Sequence, residues 1–352
     1  MGMITSLLVL SFLIFFHELG HFLAARFFGV RVEVFSIGFG KKVYKKVIGK
    51  TEYCLAMIPL GGYVQMKGQD DSDPTKTSTD VDSYNTKKPW QRIIILFAGP
   101  FANFLLAFFL YLFIANMGVT RLAPIIGSVS ENSPAREIGL TKNDKIIEIN
   151  GETVKTWDDL SDFIKQSDGP LLITIQRDKK VKTLMATPDI KELKSMFGEP
   201  VKKRILGVSP IGETLVLHYS AVQSLVFAYD ETLKATTLII TSLQKLIQGI
   251  IPAKDLGGVV SIVQVTAQAS EAGIIALFAL TALISVNLGV LNLLPIPALD
   301  GGHIMFNIYE MITKKAPSEK VLYRMTVFGW VFLLTLMIFT IFNDFYRIFG
   351  GN

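Results

Sequence analysis

Four stretches of the chain are apolar almost without interruption: residues 3–28, 93–117, 272–299 and 325–343. The last three hold no charged residue, and neither do residues 3–16 of the first. About 20 apolar residues cross a bilayer as a helix, so the pattern predicts four membrane-spanning helices. Between the second and third stretches the pattern changes. Residues 120–190 alternate polar and apolar positions in short runs broken by turn residues, which predicts strands. "KIIEIN" reads as a strand closed by the turn pair Asn150-Gly151. Before it come a turn at Asn132–Pro134 and a short helical piece over 135–138. After it a helix is expected from Thr156, with Asp158 and Asp159 favouring its first turn. The strands "LLITIQR" and "KVKTLMATP" flank a turn at Asp178–Lys179. Residues 214–248 are apolar at helical spacing but interrupted by His218, Asp230, Glu231, Lys234 and Lys245. That predicts one or two amphipathic helices lying on the membrane face, not a fifth span.

Composition agrees with the membrane reading. Half of the 352 residues are hydrophobic and 18% are charged, with a mean hydropathy of +0.42. A net charge of +5 gives no case for nucleic acid as a partner. The single cysteine, Cys54, excludes an internal disulfide and a cysteine zinc cluster. Basic residues in short loops set orientation. Arg26, Arg31, Lys41, Lys42, Lys45, Lys46 and Lys50 follow the first span, and Lys314, Lys315, Lys320 and Arg324 follow the third. Both loops fall on one side of a four-span chain, which makes that side the cytoplasm and places 118–270 outside. The first 28 residues lack a basic n-region and a clean small-residue cleavage site, so they are expected to be a retained span rather than a signal peptide.

Polar chemistry sits inside the first span. In "LIFFHELGHFLAARFFG" (13–29), His17 and His21 are four residues apart, so on a helix both imidazoles project from one face. Glu18 follows His17, completing H-E-x-x-H, the pattern of two zinc ligands and a general base. Ionisable groups at membrane depth are costly and mark function. A catalytic zinc takes a third protein ligand and keeps one position open. Of the other histidines, His218 falls between spans and His303 stands three residues after Asp300. "NLLPIPALDGGH" (292–303) closes the third apolar run, and Pro295 and Pro297 break the helix there. Freed backbone at membrane depth is tolerated where it lines a cavity or faces protein. Asp300 offers a hard oxygen ligand as the third partner, and it also suits an N-cap for a helix beginning near Gly302; the two readings are compatible. Two His and one carboxylate suit zinc, and would also take cobalt or manganese.

"FFHELGHFLAARFFGVRVEVFSIGFG" (15–40), "IPLGGYVQMKG" (58–68), "FAGPFANF" (97–104) and "SVNLGVLNLLPIPALDGGH" (285–303) together resemble the site-2 protease family of intramembrane zinc metalloproteases, in particular the bacterial regulator-of-sigma-E protease group. "SPAREIGLTKNDKIIEINGETV" resembles a PDZ domain. The implied fold is a multi-pass α-helical membrane protein of about four transmembrane helices, with a membrane-associated β-segment and an inserted extracytoplasmic α+β PDZ domain. The domains are expected at 1–117 (helices 1 and 2), 118–195 (PDZ), 196–270 (extracytoplasmic amphipathic helical segment) and 271–352 (helices 3 and 4). One PDZ domain is present where some relatives have two, and its peptide-binding loop is placed near Arg121–Gly127.

The resemblance implies a metalloendopeptidase with Zn2+ held by His17, His21 and Asp300, and with Glu18 as catalytic general base. It implies that Asn292, Pro295 and Pro297 hold the unwound substrate beside the metal, and that Gly61, Gly62 and Tyr63 belong to a membrane-reentrant β-segment that guides it. Gly99, Pro100 and Asn103 match the second span's motif and read as packing residues. The implied substrates are pre-trimmed transmembrane proteins, such as anti-sigma factors or remnant signal peptides, in the bacterial inner membrane. The PDZ domain would bind or exclude them by their ectodomains, and the active site would lie near the cytoplasmic side. A metal-ion transporter and a non-catalytic PDZ scaffold are the rival readings. The first gives Glu18 no role beyond charge, and the second is natural only without Glu18.

Overall fold

The computed structural model describes residues 2–69 and 78–349, which form two compact units, 1–114 with 223–352 and 115–222. Among the described residues four helices are long and apolar enough to cross a membrane: α1 (Gly2–Phe27), α2 (Pro89–Met117), α7 (Ile274–Asn292) and α9 (Glu319–Phe349). They fall on the four apolar stretches and fit an integral membrane protein.

In the first unit the chain leaves α1 through Gly29, whose φ of 68° favours glycine. It then runs through two long bent strands, β1 (Val32–Ile48) and β2 (Thr51–Met66). Gly38 and Gly40, with φ of 93° and 85°, sit where β1 turns back. Each strand therefore contributes two paired runs. Residues 32–37 are flanked by 62–66 on one side and by 52–55 on the other, and 42–48 pair with 51–56. The run 62–66 is thus an edge, with no second strand partner among the described residues. A core of Phe22, Ala25, Val32, Phe35, Met66, Ile95 and Leu96 joins α1, this sheet and α2.

α1 and α2 approach closely because glycine removes the side chain at the crossing. A Cβ on Gly20 would stand 2.1 Å from the Ala98 carbonyl oxygen. α6 (Val259–Ala272) packs on α1, where Ser6 Oγ donates to Val263 O at 3.1 Å. The N-cap of α6 is Gly258, which has no side chain to cap with. Asp344 of α9 supplies the missing acceptor: its carboxylate takes the N–H groups of Gly258 (3.0 Å) and Ser261 (3.1 Å). After α7 an irregular segment holding Pro295 and Pro297 leads into α8 (Asp300–Thr313).

The second unit is an α+β fold. β3 (Val119–Leu122) pairs with β12 (Thr214–Leu217), and β4 (Ile126–Val129) with β11 (Val208–Pro210). A four-stranded sheet is ordered β6 (Glu152–Thr153), β5 (Lys145–Ile149), β7 (Leu171–Arg177), β8 (Lys180–Ala186). α3 (Pro134–Glu137) is capped by Ser133, and α4 (Trp157–Gln166) by a capping box in which Thr156 and Asp159 each accept the other's backbone N–H. β9 (Asp189–Lys194) pairs with β10 (Pro200–Ile205). The core is Ile126, Leu140, Ile146, Ile149, Leu160, Ile173, Ile175 and Leu206.

Two expectations change here. The stretch 196–270, expected to be helical, begins with three strands, β10 to β12, which return to the unit; its helices are α5 (Ala221–Ile247) and α6. Arg121–Gly127, expected beside a peptide-binding loop, is largely taken up in β3 and β4. The N–H groups of Ala123 and Ile126 already donate to Glu213 O and Asp144 O, so they cannot bind an incoming chain.

Candidate metal centre

His17 and His21 lie near the end of α1, one turn apart, with ring centroids 4.8 Å apart and planes at 85°. Their Nε2 atoms approach to 3.2 Å. Asp300, the first residue of α8, closes the group: Oδ2 is 3.2 Å from His17 Nε2 and Oδ1 is 3.4 Å from His21 Nε2. Ligands about 2.0–2.1 Å from a tetrahedral zinc ion stand about 3.4 Å from one another. The two imidazole nitrogens, and each of them with one Asp300 oxygen, stand close to that edge, so the residues fit the metal in type and number and lie near its spacing. His17, His21 and Asp300 also form a group of His and acidic side chains whose donor atoms all lie within 4.8 Å. The N-cap alternative for Asp300 is not realised: Leu299 occupies that position, and the Asp300 carboxylate turns to the imidazoles instead.

The surrounding helices fix this arrangement. His21 is 6% exposed, and its Nδ1 lies 2.9 Å from the Ile95 carbonyl oxygen. A carbonyl only accepts, so Nδ1 carries the proton, and in the neutral ring that ligates a metal Nε2 presents its lone pair to the cluster. Gly99 makes room for that ring, since a Cβ there would lie 2.2 Å from His21 Nε2. Gly301 and Gly302 seat the start of α8 on the irregular segment; a Cβ on either would stand 2.3 Å from a carbonyl oxygen of Leu294 or Ile296.

The cluster opens into a cavity of about 560 Å³, lined by Glu18, Gly62, Tyr63, Leu299, His303 and Trp330 among others. A smaller one of about 250 Å³ adjoins it, lined by Glu18, Gly61, Gly62, Asn103 and Asn292. Glu18 therefore faces the same space as the three donors. A Cβ on Gly62 would come 3.2 Å from Glu18 Cγ, so the edge run 62–66 passes directly over it. Asn292 reaches the cluster as well, with Nδ2 3.4 Å from His17 Nε2. Pro295 is exposed and Pro297 buried, and neither lines these cavities; their turn presents Ala298 and Leu299. Sequence reasoning missed the contact of Asn103 with His17, 3.2 Å from Nδ2 to Nδ1. It also missed His303 as a lining residue; its place three residues after Asp300, one helical turn on, was the available signal.

In the second unit a cavity of about 330 Å³ lies between α4 and the strands β10 and β11, lined by Trp157, Leu160, Ile164, Lys165, Lys203 and Arg204 among others.

The family model for Peptidase family M50 matches residues 5–336. Relatives carrying the name "Putative zinc metalloprotease" include one from Campylobacter jejuni, 49% identical over 99% of this chain and 94% of its own length. One from Helicobacter pylori is 38% identical over 98% and 99% of the two chains, and one from Clostridium acetobutylicum is 34% identical over 97% of each. A match of that extent, on a chain with four apolar helices whose first brings two imidazoles to the carboxylate of Asp300, makes this protein a member of peptidase family M50.

Proposed function

We propose that the protein is an intramembrane zinc endopeptidase that cuts transmembrane segments of membrane proteins already trimmed outside the membrane. The observation that carries the reading is the convergence of His17 and His21, on a helix apolar enough to span a bilayer, with Asp300 at the start of α8, in a cavity shared with Glu18. The relatives' names support zinc as the metal. When bound, zinc supplies a Lewis acid for the scissile carbonyl and lowers the pKa of a neighbouring water. Glu18 takes the proton from that water as it attacks and passes it to the departing amide nitrogen.

A transmembrane helix hides its peptide bonds in internal hydrogen bonds, so the substrate unwinds before it reacts. The edge run 62–66 offers unpaired backbone groups beside Glu18, and an unwound segment pairs with it by strand addition. Gly61 and Gly62 line the cavity it enters, while Tyr63 and Asn292 border its path. The second unit acts as an extracytoplasmic PDZ domain, and the cavity between α4 and β10 receives an extended peptide or ectodomain segment. The basic loops support a metal centre near the cytoplasmic face of a bacterial inner membrane. Anti-sigma factors and remnant signal peptides are the substrate classes of this reading.

The test is cleavage of a tagged model transmembrane substrate by purified protein in detergent, with the cut located by mass spectrometry. Chelation is expected to stop cleavage, zinc to restore it, and the cut to fall inside the apolar span. A cut confined to the soluble flanks, or one indifferent to chelation, overturns the reading.

A further inference from the structure

Ligation through Nε2 requires each imidazole to carry its proton on Nδ1. For His21 the backbone enforces this through Ile95 O. For His17 the group facing Nδ1 is the side-chain amide of Asn103, 3.2 Å away. Asn103 is completely buried in α2, and its backbone carbonyl accepts from Ser285 Oγ at 2.8 Å, which ties it to α7. The amide nitrogen is turned to the ring, while Oδ1 is buried with no hydrogen-bond partner among the described residues. That orientation suits a ring with its proton on Nε2, where the proton would point at Asp300 and His21 and obstruct a metal.

A half-turn of the amide exchanges its nitrogen and oxygen without changing its shape. It replaces a donor-to-donor contact with the metal-ready tautomer by an Nδ1–H···Oδ1 hydrogen bond. Either orientation leaves one amide atom buried without a partner, so the contact with the ring decides between them. We propose that Asn103 is a positioning residue of the metal centre: its Oδ1 accepts the His17 Nδ1 proton, fixes that tautomer and aims Nε2 at the metal. α2 then orients both histidines, Ile95 through its backbone and Asn103 through its side chain. Only the second can be altered by substitution. The proposal rests on the zinc reading of the site given above.

Full-length protein in detergent is stripped of metal, and its zinc dissociation constant is measured by competition with a chromogenic chelator. Asn103→Asp keeps an acceptor oxygen and loses the donor, whereas Asn103→Leu keeps similar volume and loses both. Asn103→Leu is expected to weaken zinc binding about 10- to 100-fold, and Asn103→Asp to bind at least as tightly as wild type. The melting temperature of zinc-free protein is expected to be similar in all three, with the zinc-induced rise reduced only in Asn103→Leu. Zinc-free Asn103→Leu melting well below wild type would mark a packing defect, and Asn103→Asp against wild type then decides alone. Loss of zinc by Asn103→Asp, or wild-type binding by Asn103→Leu, overturns the proposal while leaving the zinc site standing. Failure of the wild type to bind zinc overturns both.

Discussion

At the scale of single residues, the metal centre depends as much on what is missing as on what is present. Gly99 has no Cβ, and the space so left holds the His21 ring. Gly99→Ala is expected to displace that ring and to weaken zinc binding about tenfold or more, read as zinc content after gel filtration. Retention of full zinc would show that the ring relaxes without loss. The candidate ligands and their grouping were legible in the sequence, because H-E-x-x-H spacing on a helix and an Asp beside a helix break are local signals. The groups that orient the ligands were not. Ile95 and Asn103 meet the imidazoles through the register of α1 on α2, which the glycines at 20 and 99 permit but no local pattern states.

At the scale of elements, the second unit carries an ion pair that holds β5 to β7. Arg177 donates to both carboxylate oxygens of Asp144, at 2.6 and 2.7 Å, and the Thr141 N–H adds a bond of 2.8 Å. Burial pushes the Asp144 carboxyl up, but the Arg177 guanidinium and the Thr141 N–H outweigh it and hold the group below the usual carboxylate range. A carboxyl lowered by folding contributes stability above its unfolded pKa of about 4. That contribution is lost as pH falls through the folded value. Urea unfolding of a Trp90→Phe, Trp330→Phe protein, followed through Trp157 in this unit, is therefore expected to show an acid loss of stability below about pH 4. Arg177→Ala leaves a buried carboxylate unpaired and is expected to cost about 3 kcal/mol at neutral pH. With burial then dominant, its stability should rise rather than fall on acidification. Strands such as β5 and β7 were legible because their alternation buries one face, whereas the residues of β9 and much of β10 are exposed. Largely exposed in β10, and only three or four residues long in β11 and β12, these strands passed for part of a helical segment.

At the scale of the whole molecule, Val119 pairs with Leu217, so the chain enters and leaves the second unit at adjacent positions. The unit can therefore be excised between residues 118 and 218 and replaced by a short glycine–serine linker. If it filters substrates by their ectodomains, the excised protein cuts a trimmed substrate as before and now also cuts the untrimmed one. A block that persists after excision places the filter elsewhere.

The central claim is that Glu18, beside the three donors, moves the proton of hydrolysis. It is tested most directly by comparing wild type with Glu18→Gln at matched zinc content, on one transmembrane substrate in detergent. The variant is expected to keep its zinc and to lose at least about 100-fold in cleavage rate. Equal cleavage by the two zinc-loaded proteins would contradict it.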